Sequence, residues 1–191
     1  MTWLLCTPTA SGRRSKRIYN VFESGINGQI TLTLDVAERE VLGQLFDQVE
    51  QLLDELTTQD TSDPRDLMLG MTGSTQISTD PALARLFPDG YSEDEHASAD
   101  FRRFTEQDLR QQKIAALIDV RKGIQATANP SAVSAPQAQS WLKALNDLRL
   151  VLGTRLEISD ENDFDFDSDE PGMHLYNYLT YLQGTLIDAL N

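Results

Sequence analysis

Residues 29–34, QITLTL, and residues 35–56, DVAEREVLGQLFDQVEQLLDEL, meet at a change of hydrophobic period. In the first stretch Ile30, Leu32 and Leu34 alternate with polar residues, the two-residue repeat of a strand with one buried face. In the second, Leu42, Leu45, Phe46, Val49, Leu52, Leu53 and Leu56 recur at steps of three and four, one apolar stripe over about four helical turns. Asp35 and Glu38 stand at capping-box spacing where the period changes. A strand passing straight into a long amphipathic helix predicts a mainly α (α+β) fold.

Upstream, residues 18–34 read as a β-hairpin. Ile18, Asn20 and Phe22 alternate with Tyr19 and Val21, and Asn27-Gly28 is a tight-turn signal. A lone hairpin is marginal in water, so its apolar face must pack on helices. Downstream, residues 57–79 are rich in Thr, Asp, Gly and Ser and read as a long loop. Asp80-Pro81 opens a short helix with Leu83, Leu86 and Phe87 inward, ended by Pro88-Asp89-Gly90. Residues 93–104 read as a helix ending near Phe101 and Phe104. Thr105 with Asp108 caps a separate helix over 106–127, with Leu109, Ile114, Leu117, Ile118 and Ile124 as its stripe. Residues 128–137 read as a linker. Ser134 caps a helix to about Leu156, with Trp141, Leu142, Leu145, Leu148 and Leu152 on one face. An acidic loop over 158–170 leads to a last helix, 171–190, carrying Leu175, Tyr178, Leu179, Leu182, Leu186 and Leu190. The expected organisation is a flexible, basic N-terminal segment over 1–17 and a single helical domain over 18–191. In that domain the hairpin packs on a bundle of about five to six helices.

The chain has 191 residues, 40% of them hydrophobic, enough for one core. No apolar run approaches the roughly 20 residues needed to span a bilayer. The patch Trp3-Leu4-Leu5-Cys6 is short for a signal peptide and has no basic residues ahead of it. These features predict a cytoplasmic protein. Net charge is −14, unevenly spread: residues 1–34 carry Arg13, Arg14, Lys16 and Arg17 against Glu23, and residues 157–191 carry no Lys or Arg. An acidic body repels nucleic-acid phosphates and suits basic protein surfaces, so any DNA contact must be local.

The candidate sites are few. Arg13, Arg14, Lys16 and Arg17 form the one dense basic cluster, either a solvated loop or an arm for DNA phosphates. Cys6 is the sole cysteine, so this chain cannot form an internal disulfide. Its plain reading is an ordinary thiol, and its sharper one a redox-sensitive thiol whose pKa the following basic residues lower if they fold back near it. Asp163 to Glu170 resembles a calcium loop but has Ser168 and His174 where Gly and Glu are needed, so a solvated or partner-docking acidic loop fits better. Phe164 and Phe166 within it either enter a partner's groove or pin the loop to the protein's own core. His96 sits among acids, and neither it nor His174 has a second His or Cys at metal-ligand spacing. There is no phosphate loop, nucleophile elbow or HExxH motif, which points away from an enzyme and away from a cofactor and leaves an all-carboxylate or metal-dependent site as the enzymatic alternative. Arg102, Arg103, Arg110, Lys113, Arg121 and Lys122 read as partners for the protein's own carboxylates. Arg149 and Arg155 should likewise meet buried or interfacial acids, Asp147 among the candidates.

The stretches Leu34–Leu42, Asp80–Pro88, Trp141–Leu156 and Leu175–Gln183 resemble an actinobacterial family of unknown function that includes the oxidative-stress regulator AosR. The resemblance runs from about residue 17 to 190, with Leu152-Gly153-Thr154-Arg155-Leu156 its most specific part. It implies a redox-linked transcriptional regulator: one branch of the family responds to oxidation through cysteines and works with an extracytoplasmic-function sigma factor on cysteine-biosynthesis genes, whereas this chain has only Cys6, which leaves intermolecular pairing or loss of redox sensing. Members are typically encoded beside the Clp adaptor ClpS. Two functional expectations follow. The first is a cytoplasmic regulator of stress-response transcription that contacts a sigma factor or RNA polymerase, with possible local DNA binding and a homodimer left open. The second is an interaction protein of ClpS or a Clp ATPase in proteolysis.

Overall fold

The computed structural model describes residues 20–25, 27–59, 78–91, 94–158 and 169–191. The hairpin is present as β1 (Phe22–Ser24) and β2 (Ile30–Leu32), paired antiparallel with Phe22 opposite Leu32 and Ser24 opposite Ile30. Thr33 N–H donates to the Val21 carbonyl at 2.8 Å, carrying the pairing one step beyond the strands. Gly25 N–H closes the loop on the Gln29 carbonyl at 2.8 Å. Gly28 has φ +70, a conformation that favours glycine, which is why the Asn-Gly signal marks this loop.

Helix α1 (Val36–Gln59) follows at once. Its capping box is reciprocal: Asp35 Oδ1 accepts from Glu38 N–H, and Glu38 Oε2 accepts from Asp35 N–H, both at 2.8 Å. Leu42, Leu45, Phe46, Val49, Leu52 and Leu53 are all buried. The helix extends to Gln59, into the span expected to be loop, and the rest of that loop as far as residue 77 lies outside the described residues.

Short helix α2 (Pro81–Leu86) has Asp80 as N-cap, its side chain accepting from Ala82 N–H at 2.8 Å. Helix α3 (Glu95–Ile124) is one continuous rod of 30 residues, not the two helices expected. Thr105 does not cap: its hydroxyl donates to the Phe101 carbonyl one turn back at 2.7 Å, a bond available only inside a helix. No Gly or Pro lies between 95 and 122 to break it, and the start is capped by Asp94, which accepts from Ala97 N–H at 2.9 Å. Ala116, Leu117, Val120 and Ile124 face the core; Ile118, expected inward, is 46% exposed because it lies one helical step past that face.

The expected linker holds a third strand, β3 (Ser131–Val133), antiparallel to β2 with Ile30 opposite Val133 and Leu32 opposite Ser131. Three residues are too few for an alternation to show, and the partner strand lies about a hundred residues earlier. Asn129 extends this edge: its amide accepts from Leu34 N–H at 3.3 Å and donates to the Leu34 carbonyl at 2.8 Å, as another strand's backbone would. Arg39 secures the same corner, donating to the Leu34 and Ala126 carbonyls at 3.2 and 2.9 Å and to that of Ile124.

Helix α4 (Ala135–Arg155) begins with a capping box between Ser134 and Gln137 and runs through the middle of the molecule. Trp141, 1% exposed, anchors the core, edge-on to Phe22 at 5.4 Å and to Phe46 at 6.0 Å between ring centroids. Gly123 lets α3 approach it: a Cβ there would stand 3.2 Å from the indole nitrogen. Helix α5 (Pro171–Leu190) buries Tyr176, Leu179, Leu182 and Leu186, while Leu190, expected inward, is 37% exposed at the helix end. Three short strands and five helices thus share one core among the described residues.

Candidate functional site

Cys6, Arg13, Arg14, Lys16, Arg17, Phe164 and Phe166 all lie outside the described residues. His96 and His174 are both on the surface. Among the described residues no three His, Cys, Asp or Glu side chains converge in a way that would hold a metal ion.

The scattered cations of the middle helix do meet the protein's own acids. Arg121 bridges to Asp47 and Glu50 of α1 at 2.5 and 2.7 Å, Lys122 to Asp119 at 2.9 Å, and Arg102 to Asp89. The hydrogen bonds that Arg121 donates to Glu50 and Asp47 raise its pKa. Lys113 reaches Asp147 on α4 at 2.7 Å, and both side chains are nearly enclosed, at 12% and 9% exposure. The Lys113 ammonium also lies 5.7 Å from the Phe87 ring centre. Burial pushes the Asp147 carboxyl above its ordinary range, against the downward pull of Lys113. Arg155 meets an acid as expected: it binds Asp80 at 2.5 Å and ties the end of α4 to the start of α2. Burial pushes the Asp80 carboxyl up, but Arg155 and the Ala82 amide outweigh it and hold the group below the usual carboxylate range. Arg149 departs from expectation. Its guanidinium donates to Gln183 Oε1 at 2.5 Å and to the Tyr176 hydroxyl at 3.3 Å, and lies 5.1 Å from the Tyr176 ring centre. Two α5 side chains with polar ends take its terminal nitrogens where an acid was anticipated, and its Nε is buried with no hydrogen-bond partner among the described residues.

The first half of α3 inverts the ordinary helix pattern. Ser98, Arg102 and Glu106 repeat at four-residue spacing and are buried, at 2%, 5% and 8% exposure. The Ser98 hydroxyl accepts from Tyr91 N–H at 3.1 Å and donates to the Tyr91 carbonyl at 2.5 Å. These bonds and the Arg102–Asp89 pair hold the turn after α2 against α3. The aromatics face outward instead: Phe101 and Phe104 of α3 are 42% and 55% exposed, and Tyr91 in the preceding turn is 55% exposed. Tyr91 and Phe101 meet edge to face at 6.3 Å, and the Phe101 ring packs close over Gly90, where a Cβ would come 2.8 Å from it and force it to shift. Phe101 and Phe104, expected near a helix end, lie on the outer face of a continuous helix, which the polar Ser98-Arg102-Glu106 repeat on the inner face signals. Phe101 and Phe104, three residues apart on α3, and Tyr91 beside Phe101 thus leave three large aromatics open to solvent.

Residues 21–190 match the model of the domain of unknown function family DUF2017. Over 195 residues the chain is 28% identical to the oxidative stress regulator AosR of Mycobacterium tuberculosis strain H37Rv, covering 93% of this chain and 88% of that protein. The protein of the same name from Mycobacterium bovis aligns to the same extent. An AosR-named protein of Mycobacterium leprae is 29% identical over 162 residues, 74% of this chain and 75% of its own length. No solved structure matches. With residues 21–190 inside the matched region, the protein belongs to the DUF2017 family.

Proposed function

We propose that this protein is a cytoplasmic regulator of the oxidative-stress response that acts by contacting the transcription machinery, a sigma factor or RNA polymerase, and not by catalysis. The observation that carries the reading is the alignment over 93% of the chain to relatives named oxidative stress regulators. Three features support the mode of action. Phe101 and Phe104 on α3 and Tyr91 on the turn before it are large exposed aromatics, the kind of anchor that dominates binding energy. The net charge of −14 suits a basic protein surface better than a phosphate backbone. No helix among the described residues is long and apolar enough to cross a membrane. Cys6 is the one thiol through which this chain can sense oxidant directly, and Arg13, Arg14, Lys16 and Arg17 are the residues for any local DNA contact.

The test is affinity capture of the full chain from native cells, with and without peroxide, with partners identified by mass spectrometry. The reading predicts enrichment of RNA polymerase or a sigma factor that changes with oxidant and is lost in Phe104→Glu. Capture of ClpS or a Clp ATPase alone, indifferent to peroxide, refutes it and moves the protein to proteolysis. An oxidant response unchanged in Cys6→Ser removes Cys6 as the switch.

A further inference from the structure

Helix α5 lies on the surface with one charged residue, Asp188, in its 20 positions, although 24% of the chain is charged. A typical surface helix turns a charged face to water. This one exposes Tyr181 at 43% and Ile187 at 46%, with Gly184 between them. Among the described residues Gly184 has no packing role: a Cβ there would meet nothing within 4 Å. An exposed mid-helix glycine costs about 1 kcal/mol relative to alanine, so the fold alone gives no reason for it.

We infer that the outer face of α5 is a self-association surface, and that its occupant is a second copy of this chain, paired across a two-fold axis near Gly184. Charge selects the occupant. A two-fold interface sets each patch against itself, so on a molecule of net charge −14 an acidic patch would repel its own copy. A basic partner would gain most on the acidic surfaces and least here. The nearly uncharged face is where two copies approach without that penalty, and depletion of charge marks the centre of protein interfaces. An antiparallel pair crossing at Gly184 sets Ile187 opposite Tyr181 and Asp188 opposite Thr180. The two Asp188 carboxylates then stand about 12 Å apart along the axis, counting 1.5 Å per residue, beyond the screening length of roughly 8 Å at physiological salt. A helix about 30 Å long and 10 Å across offers on the order of 300 Å² per copy, well under the ~800 Å² of a standard stable interface. The pair is therefore weak and concentration-dependent, strengthened by salt that screens the acidic bodies. This surface is separate from the aromatic face of α3, and the inference does not rest on the function proposed above.

Sedimentation equilibrium of the full chain, from micromolar to sub-millimolar at low and high salt, tests it. The mass should rise from 21.4 kDa toward the dimer with concentration, and more steeply at high salt. Gly184→Lys, which the open surroundings accommodate, should weaken association about tenfold or more by setting like charges face to face, with no loss of thermal stability. Ile187→Lys, at a second exposed position, should do the same. A monomer across the whole range overturns the inference, as does association that survives both substitutions or is abolished instead by Phe104→Lys.

Discussion

Breaking the Lys113–Asp147 pair from one side should cost far more than replacing it whole. The two groups touch at 2.7 Å with little access to water. At an effective dielectric of about 20 their attraction is about 6 kcal/mol. Removing two charges from water costs several kcal/mol each, so the pair comes out near zero overall. Asp147→Leu leaves an ammonium enclosed beside Phe87 with its attraction gone, and should destabilise by about 3–5 kcal/mol. Lys113→Met leaves a carboxylate whose pKa burial already raises, so it relieves the strain by protonating. A raised carboxyl pKa means the folded state binds the proton more tightly, so the penalty of Lys113→Met grows as pH rises through that raised value and shrinks below it. The double variant Lys113→Met/Asp147→Leu should lie within about 1–2 kcal/mol of the parent or above it. Urea unfolding of all four proteins, followed by helical circular dichroism across a pH series, measures each term. Single variants whose costs simply add in the double, or an Asp147→Leu loss below about 1 kcal/mol, would show that the pair is not the buried, coupled unit described.

Three further perturbations test the fold. Asn129→Ala removes both bonds to Leu34, leaves that strand edge unpaired, and should cost about 1–3 kcal/mol, with faster hydrogen exchange at the Leu34 amide as the local readout. Thr105→Pro should destabilise by about 3 kcal/mol or more if α3 is continuous, whereas near-parental stability would restore a helix boundary there. Asp80→Asn keeps an N-capping side chain but loses the pairing with Arg155 that depresses the carboxyl. The parent's share of stability from Asp80 is present above the ordinary carboxylate range and fades as pH falls through the depressed value, so the variant's stability should fall less steeply in acid. Identical acid limbs for the two proteins would contradict this.

The elements with a strong period or cap were legible in the residues. The strand-to-helix switch at Asp35, the Asp80-Pro81 start, the Ser134 cap and the Trp141 face stand where the pattern puts them. The misses have two causes: partners distant in sequence, and local signals that allow two readings. Ser131–Val133 is a strand because β2 and Leu34 already offer an edge to it, information that no local window contains. Thr105 could cap a helix or bond back within one, and with no Gly or Pro between 95 and 122 to stop the helix it does the second. The outward aromatics of α3 ran against the usual rule that helical aromatics face inward, because Ser98 and Arg102 have the turn at 89–91 to satisfy them. Of the site residues, those read from local chemistry, Cys6, the basic arm and Phe164 with Phe166, fall outside the described residues, while the aromatic face became visible only from burial.

The most direct test of the account is photo-crosslinking in living cells, with a photoreactive phenylalanine analogue at position 104 and, as a control, at exposed Glu40 on α1. The account predicts a crosslink from position 104 to a sigma factor or RNA polymerase subunit that changes on peroxide treatment, and none from position 40. A silent position 104, or equal capture of the same protein from both positions, would contradict the claim that this protein regulates the stress response through the aromatic face of α3.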